Sequence, residues 1–170
     1  MPKGLKETSG LITIGFTAQE SVAGTMTESR TDLQLNVLDR EVFVVYGVNL
    51  DLSPPEAIPA TNTAVFASIS TTSRTTVGNL SDSNVIATAG NQIEAAGFVD
   101  SGVGFSYSSA DSPATQLEYL GIIATNDFYS QIIGLNNVGT QTVSGRIYGV
   151  RAQASADIFA ALTQSELLSA

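Results

Sequence analysis

Histidine, cysteine and tryptophan are absent from this 170-residue chain, and lysine occurs only at Lys3 and Lys6. Each absence removes a class of chemistry. Without histidine there is no Ser–His or Cys–His nucleophilic system and no imidazole metal site. Without cysteine there are no disulfides, thiolate ligands or thiol nucleophiles, so the redox state of the surroundings is immaterial. Carboxylate pairs are then the acid–base apparatus that remains, and the indole platforms common in glycosidases are missing. Seven basic residues face 16 acidic ones, for a net charge of −9. That balance disfavours nucleic-acid binding by bulk electrostatics, because affinity for phosphate grows with the number of Lys and Arg contacts. The opening Met-Pro-Lys-Gly-Leu-Lys has no apolar core of the secretory type, and no run approaches the length of a membrane span. Neither a secretion signal nor a transmembrane helix is expected.

The composition that remains is globular: 43% hydrophobic, 14% charged, and rich in Ser, Thr, Ala and Gly. One domain is expected at this length, with roughly 70% of the unfolded chain's surface buried on folding. Short β-branched and hydroxyl side chains suit sheets and subunit contacts, where charges would need costly desolvation.

Eight short β-like runs lie between Leu11 and Ala152. Residues 1–9 read as a flexible N-terminal arm, 10–153 as the sandwich and 154–170 as a C-terminal helix. Leu11–Thr17 alternates, and 25–37 alternates with a change of parity near Thr31 that predicts a bulge or bend. Glu41–Leu52 is the strongest strand, with Val42, Val44, Tyr46, Val48, Leu50 and Leu52 on one face and Phe43 and Val45 on the other. Ser53-Pro54-Pro55 stops it, since neither proline can donate to a ladder. Thr63–Arg74 resumes the alternation. Between Ser83 and Gly97 the period changes: Val85, Ile86, Ala89, Ile93 and Ala96 recur at threes and fours, which predicts a short inserted helix. Strands are expected again over 98–108 and 115–125. Phe128–Asn136 and Thr140–Ala152 read as a closing hairpin through Asn136-Asn137-Val138-Gly139, and Gly145 and Gly149 allow bending or close approach. Ser155 is a candidate N-cap, with Asp157 in the first turn and Ile158, Phe159 and Leu162 on one apolar face.

No residue is assigned a catalytic, cofactor-binding or metal-binding role. Asp39 with Glu41, and Glu28 with Asp32, read as solvated or paired with Arg30 and Arg40. Asp100-Ser101-Gly102 and Ser81-Asp82-Ser83 are oxygen-rich turns without the spacing of a calcium loop. Gly102-Val103-Gly104 lacks the third glycine and following helix of a dinucleotide fingerprint. The expected function is therefore association rather than turnover. Its candidate contact residues are Leu5 and Leu11 at the start of the chain and Ile158, Phe159, Leu162, Leu167 and Leu168 in the terminal helix. The loops 53–62, 75–84 and 109–115 complete the expected working surfaces.

Eight runs, an inserted helix and an N-terminal arm match the strand count of a jelly roll: an all-β, eight-stranded sandwich of two sheets with a C-terminal helix. On the run Glu41-Val-Phe-Val-Val-Tyr-Gly-Val-Asn-Leu, the closing pair of runs and the trailing helix, the chain resembles the single jelly-roll capsid proteins of tailless icosahedral viruses. The resemblance covers most of the chain. It implies a coat protein that assembles in the host cytoplasm, forms homo-oligomeric capsomers and then a shell, and resides in the virion, with other coat proteins as further partners. The strongly basic arm of many small coat proteins is missing here. The resemblance then implies genome neutralisation by another protein, by cations or behind an internal membrane. Two other classes stay open on the residues: a carbohydrate-binding or adhesive sandwich, and a filament subunit in which residues 1–17 are exchanged between copies.

Overall fold

Val42, Phe43, Val44 and Val45 are all buried, a run no strand with one wet face would show. The structure, a computed structural model describing residues 1–97, 105–110 and 117–169, explains the run by layers on both sides. The strands are β1 (Leu5–Glu7), β2 (Ile12–Gln19), β3 (Thr27–Asp32), β4 (Glu41–Leu52), β5 (Thr63–Ser70), β6 (Val85–Glu94), β7 (Phe105–Ala110), β8 (Gly121–Ile123), β9 (Asp127–Leu135) and β10 (Thr142–Ala154). One helix follows, α1 (Ala156–Leu168). Two five-stranded antiparallel sheets form a sandwich. In one, β10 lies between β4 and the collinear pair β1 and β2, and β8 closes the far side of β4. In the other the order is β3-β9-β5-β6-β7.

Between the sheets lie Phe16, Leu33, Leu35, Phe43, Val45, Ile69, Ile123, Phe128 and Ile147. Phe16 of the first sheet meets Phe128 of the second edge-on, with ring centroids 5.5 Å apart, a favoured aromatic geometry. Val65, Ala67, Ile132 and Val143 extend the core towards one end. Val42 and Val44 face the other way, with Val150, Ala152 and Ala154, and α1 lies over them.

Five expectations are corrected. The β4 alternation is broken by a bulge: Tyr148 pairs with Gly47 but Gly149 with Val45, so Tyr46 is the extra residue. Phe43 and Val45 therefore share the core side with Val48 and Leu50, and Val42 and Val44 lie beneath the helix. The helix expected within 83–97 is strand β6, paired with β5 from Thr63↔Ile93 to Ser70↔Val85. Val85, Ile86, Thr88 and Ile93 suit a strand, and the ladder offered by β5 outweighs the apolar spacing of three and four. The last two strands are not a hairpin, for β9 pairs with β3 and β5 while β10 pairs with β1, β2 and β4. Instead of the expected eight strands, ten are found among the described residues. Finally, Leu5, Lys6 and Glu7, within the stretch read as a free arm, pair with Ala154, Gln153 and Ala152. Of the strands expected over 98–108 and 115–125, the described residues show β7 from Phe105 and only the short β8 at Gly121–Ile123. Residues 98–104 and 111–116, with Asp100-Ser101-Gly102, Gly102-Val103-Gly104 and most of the expected 109–115 loop, lie outside the described residues.

Candidate assembly surface

Carboxylates hold several of the connections between strands. At one end of the sandwich, Glu20 is buried and accepts the backbone N–H groups of Gly24 at 3.1 Å, Gly134 at 2.7 Å and Gln141 at 2.8 Å. Glu56 accepts those of Val138 at 2.7 Å and Gly139 at 2.9 Å, and its own N–H donates to Asn137 Oδ1 at 2.8 Å. The side-chain oxygen of Asn62 accepts from Ala95 and Ala96, both at 2.8 Å. Three connections, 20–26, 53–62 and 136–141, are thereby fixed to one another, with the end of β6 beside them. Backbone donors left without a ladder partner would otherwise be costly to bury, and an ionised acceptor is the strongest remedy.

The opposite end is built the same way. Asn126 Oδ1 accepts the Leu35 N–H, and Glu41 accepts that of Asn36 at 2.8 Å. Val37–Asp39 form a 3-10 turn in which Asn36 Oδ1 accepts the Leu38 N–H at 3.2 Å, and Arg40 at φ 55° ends it. This turn holds Leu38 out at 95% exposure. Residues 71–84 fold back over the outer face of β5 on a polar network. Gln131 Nε2 donates to Glu28 at 2.9 Å and to Ser70 at 2.8 Å, while Ser68 Oγ donates to Gln131 and accepts from the Gly78 N–H. Arg74 reaches Asp82 and Asn84, each at 2.7 Å.

Several sequence-level readings change at this point. Glu28 is not paired with Arg30; it binds Ser73, the Arg74 N–H and Gln131, and Arg30 pairs with Asp127 at 2.6 Å. Glu41 lies 3.8 Å from Arg151 rather than beside Arg40. Asp82, in the oxygen-rich turn at 81–83, is engaged by Arg74 and the Asn79 N–H. No group of three or more acidic side chains able to hold a metal ion occurs among the described residues. No helix among them is long and apolar enough to cross a membrane.

The seven candidate contact residues divide in two. Leu5, Ile158, Phe159 and Leu162 pack within the chain against Val42, Val44, Ala124, Val150, Ala152 and Ala154. Leu11, Leu167 and Leu168 are exposed, Leu168 at 78%. Ser155 holds the extended N-cap conformation of α1 without a side-chain bond, and Asp157 lies in the first turn as expected. The far end of α1 is fastened by buried Glu166, which accepts the N–H groups of Ala124 at 2.7 Å and Thr125 at 2.9 Å.

Desolvation holds the Glu166 carboxyl above its ordinary value of 4.5; the two N–H donors and the Thr125 side chain oppose that rise only in part. The folded protein thus binds this proton more tightly than the unfolded chain does. The linked stability is complete below pH 4.5 and is lost as pH rises through the raised folded value. We predict that Glu166→Gln removes this dependence. Melting temperatures of the two proteins, measured from pH 4 upwards, should diverge in slope, with the unaltered protein falling relative to the variant; parallel curves would refute the assignment.

Several exposed apolar residues were missed by sequence reasoning, Leu38 and Val138 being the most exposed of them. Leu38 and Val138 stand at turn tips, Val138 at 82% exposure. The signal was present in Leu38-Asp39-Arg40 and Asn137-Val138-Gly139, each an apolar side chain where a turn ordinarily carries a polar one. The arrangement is a sandwich whose ends present apolar tips on hydrogen-bonded loops. No protein-family model matches the chain, and no curated protein matches it in sequence.

Proposed function

We propose that this chain is a jelly-roll coat subunit that associates with copies of itself into capsomers and a shell. The observation that carries the proposal is strand order. With β1 and β7 set aside as additions, the remaining eight strands run β2-β10-β4-β8 in one sheet and β3-β9-β5-β6 in the other. Numbered one to eight along the chain, these are 1-8-3-6 and 2-7-4-5, the order generated by two interleaved Greek keys. The clamped ends support the reading too, because an assembling subunit gains from contact loops whose ordering cost is met before association. Three of the five arginines are committed within the chain, Arg30 to Asp127, Arg74 to Asp82 and Arg151 to Glu41 and the Leu33 carbonyl. That disposition favours contact with protein over contact with nucleic acid, and further coat proteins are natural partners. The virion is the corresponding location, with an internal membrane as a further neighbour.

Light scattering coupled to size exclusion tests the proposal: the purified chain should elute as pentamers, hexamers or larger ordered species. A monomer at every concentration and salt would refute it. Glycan binding is a second reading, favoured by one feature. A shallow depression of about 240 Å³ on the outer face of the first sheet is lined by Asn49, Asp51, Ser144, Arg146 and Tyr148, a set of amide, carboxylate, guanidinium and phenol groups suited to hydroxyls. A glycan array on the unaltered chain and Arg146→Ala checks it, and no retained sugar would dismiss it.

A further inference from the structure

Sheet edges are where one chain can continue another, and most of the edges here are blunted. On β3, Glu28, Arg30 and Asp32 are charged, and Arg30 is tied to Asp127. β1 and β8 are three residues each. β2 is different: Ile-Thr-Ile-Gly-Phe-Thr-Ala-Gln runs eight residues with no charge, no proline and no break in its register with β10. Such a strand presents unpaired backbone groups as a template for another strand.

The register states which groups these are. The Glu20 N–H donates to the Gln141 carbonyl, and Ala18 and Phe16 lie opposite Val143 and Gly145 in the same phase. Even-numbered residues of β2 therefore direct their N–H and C=O groups at β10, and Thr13, Gly15 and Thr17 direct theirs away from it. The side chains of Thr13 and Thr17 lie on the exposed outer face with Gly15 between them, whereas Ile12 and Ile14 face the core only half-buried.

We propose that β2 is a homotypic docking edge, along which two copies of this chain pair antiparallel about a two-fold axis at Gly15. Antiparallel pairing makes the edge complementary to itself, as an isologous contact requires. Gly15 then lies opposite Gly15 of the second copy and Thr13 opposite its Thr17, adding about six ladder hydrogen bonds. On the core side Ile14 comes beside Phe16 of the second copy, covering the half-exposed isoleucines. The lack of charge along β2 removes the usual obstacle to such pairing. This contact goes beyond the shell reading, since it follows from β2 alone and would stand in a protein that forms no shell.

Hydrogen exchange on the full chain tests it. The amides of Thr13, Gly15 and Thr17 should be protected at high concentration and exchange freely on dilution. In Thr13→Lys/Thr17→Lys, lysine faces lysine at both pairs, and protection should be lost at every concentration. In Thr13→Lys/Thr17→Glu, lysine faces glutamate, and protection should return. The amides of Ile14 and Phe16, bonded to β10, stay protected throughout if each variant is folded. Exposed amides in the concentrated unaltered chain, or protection that survives the double-lysine change, would overturn the proposal. Protected amides without capsomers would count against the shell and leave the edge intact.

Discussion

Replacing Gly149 by alanine should cost about 3 kcal/mol of folding free energy, at the upper end of what overpacking usually costs. A Cβ at this position would run into the Val44 carbonyl oxygen and lie 2.6 Å from Phe43 Cε1. The first obstacle is backbone in the neighbouring strand and the second is a fully buried ring, so neither can yield without moving the sheet or the core. The glycine is there because Phe43 lies across β10 at this point, next to the bulge at Tyr46. Gly145 serves Phe16 in the same way, since a Cβ there would lie 2.6 Å from Phe16 Cε2 and 2.9 Å from the Asn49 carbonyl. Gly15 is the control, with its nearest atom 4.0 Å away. Gly15→Ala should change stability by no more than about 1 kcal/mol, in the stabilising direction through the unfolded chain. Urea unfolding of the two variants checks the pair, and equal midpoints would contradict this account of the core.

Glu20→Ala should cost about 3–5 kcal/mol, more than a typical side-chain deletion. The change strands the N–H groups of Gly24, Gly134 and Gln141, which converge on one buried carboxylate. Glu20→Gln does not repair it. Glu20 Oε1 accepts from Gly24 and Gly134 while Oε2 accepts from Gln141, so an amide must point a donor at a donor in either orientation. Gly134 is part of the same device, for a Cβ there would lie 2.6 Å from Gln141 Cγ and 3.1 Å from Glu20 Oε2. Denaturant titration gives the cost, and a loss below 1 kcal/mol would show that the carboxylate is dispensable to this end of the sandwich.

Much of the sandwich was legible because alternation survives in β2, whose outer face is wet, and in β5, where Ser68 and Ser70 alternate with Ala67 and Ile69 although both faces are buried. It failed where packing adds information the pattern does not carry. A cover from α1 buries both faces of Val42–Val45, and one inserted residue at Tyr46 reverses the parity of everything after it. The 83–97 stretch misled because short apolar residues fit either period, and the choice was made by pairing with β5, distant information for any local reading. Asn136–Gly139 has hairpin chemistry, yet Glu56 and Asn137 bend it from one sheet to the other. The helix and its apolar face were readable from Ile158, Phe159 and Leu162. The role of the acidic residues was not. Glu20, Glu56 and Glu166 look like solubilising charge in sequence, and only the fold brings backbone donors to them.

Electron microscopy of the purified chain, concentrated through a range of salt and pH, should reveal closed shells or a regular lattice of capsomers. A uniform field of isolated sandwiches under every condition would contradict the proposal that this chain is a coat subunit.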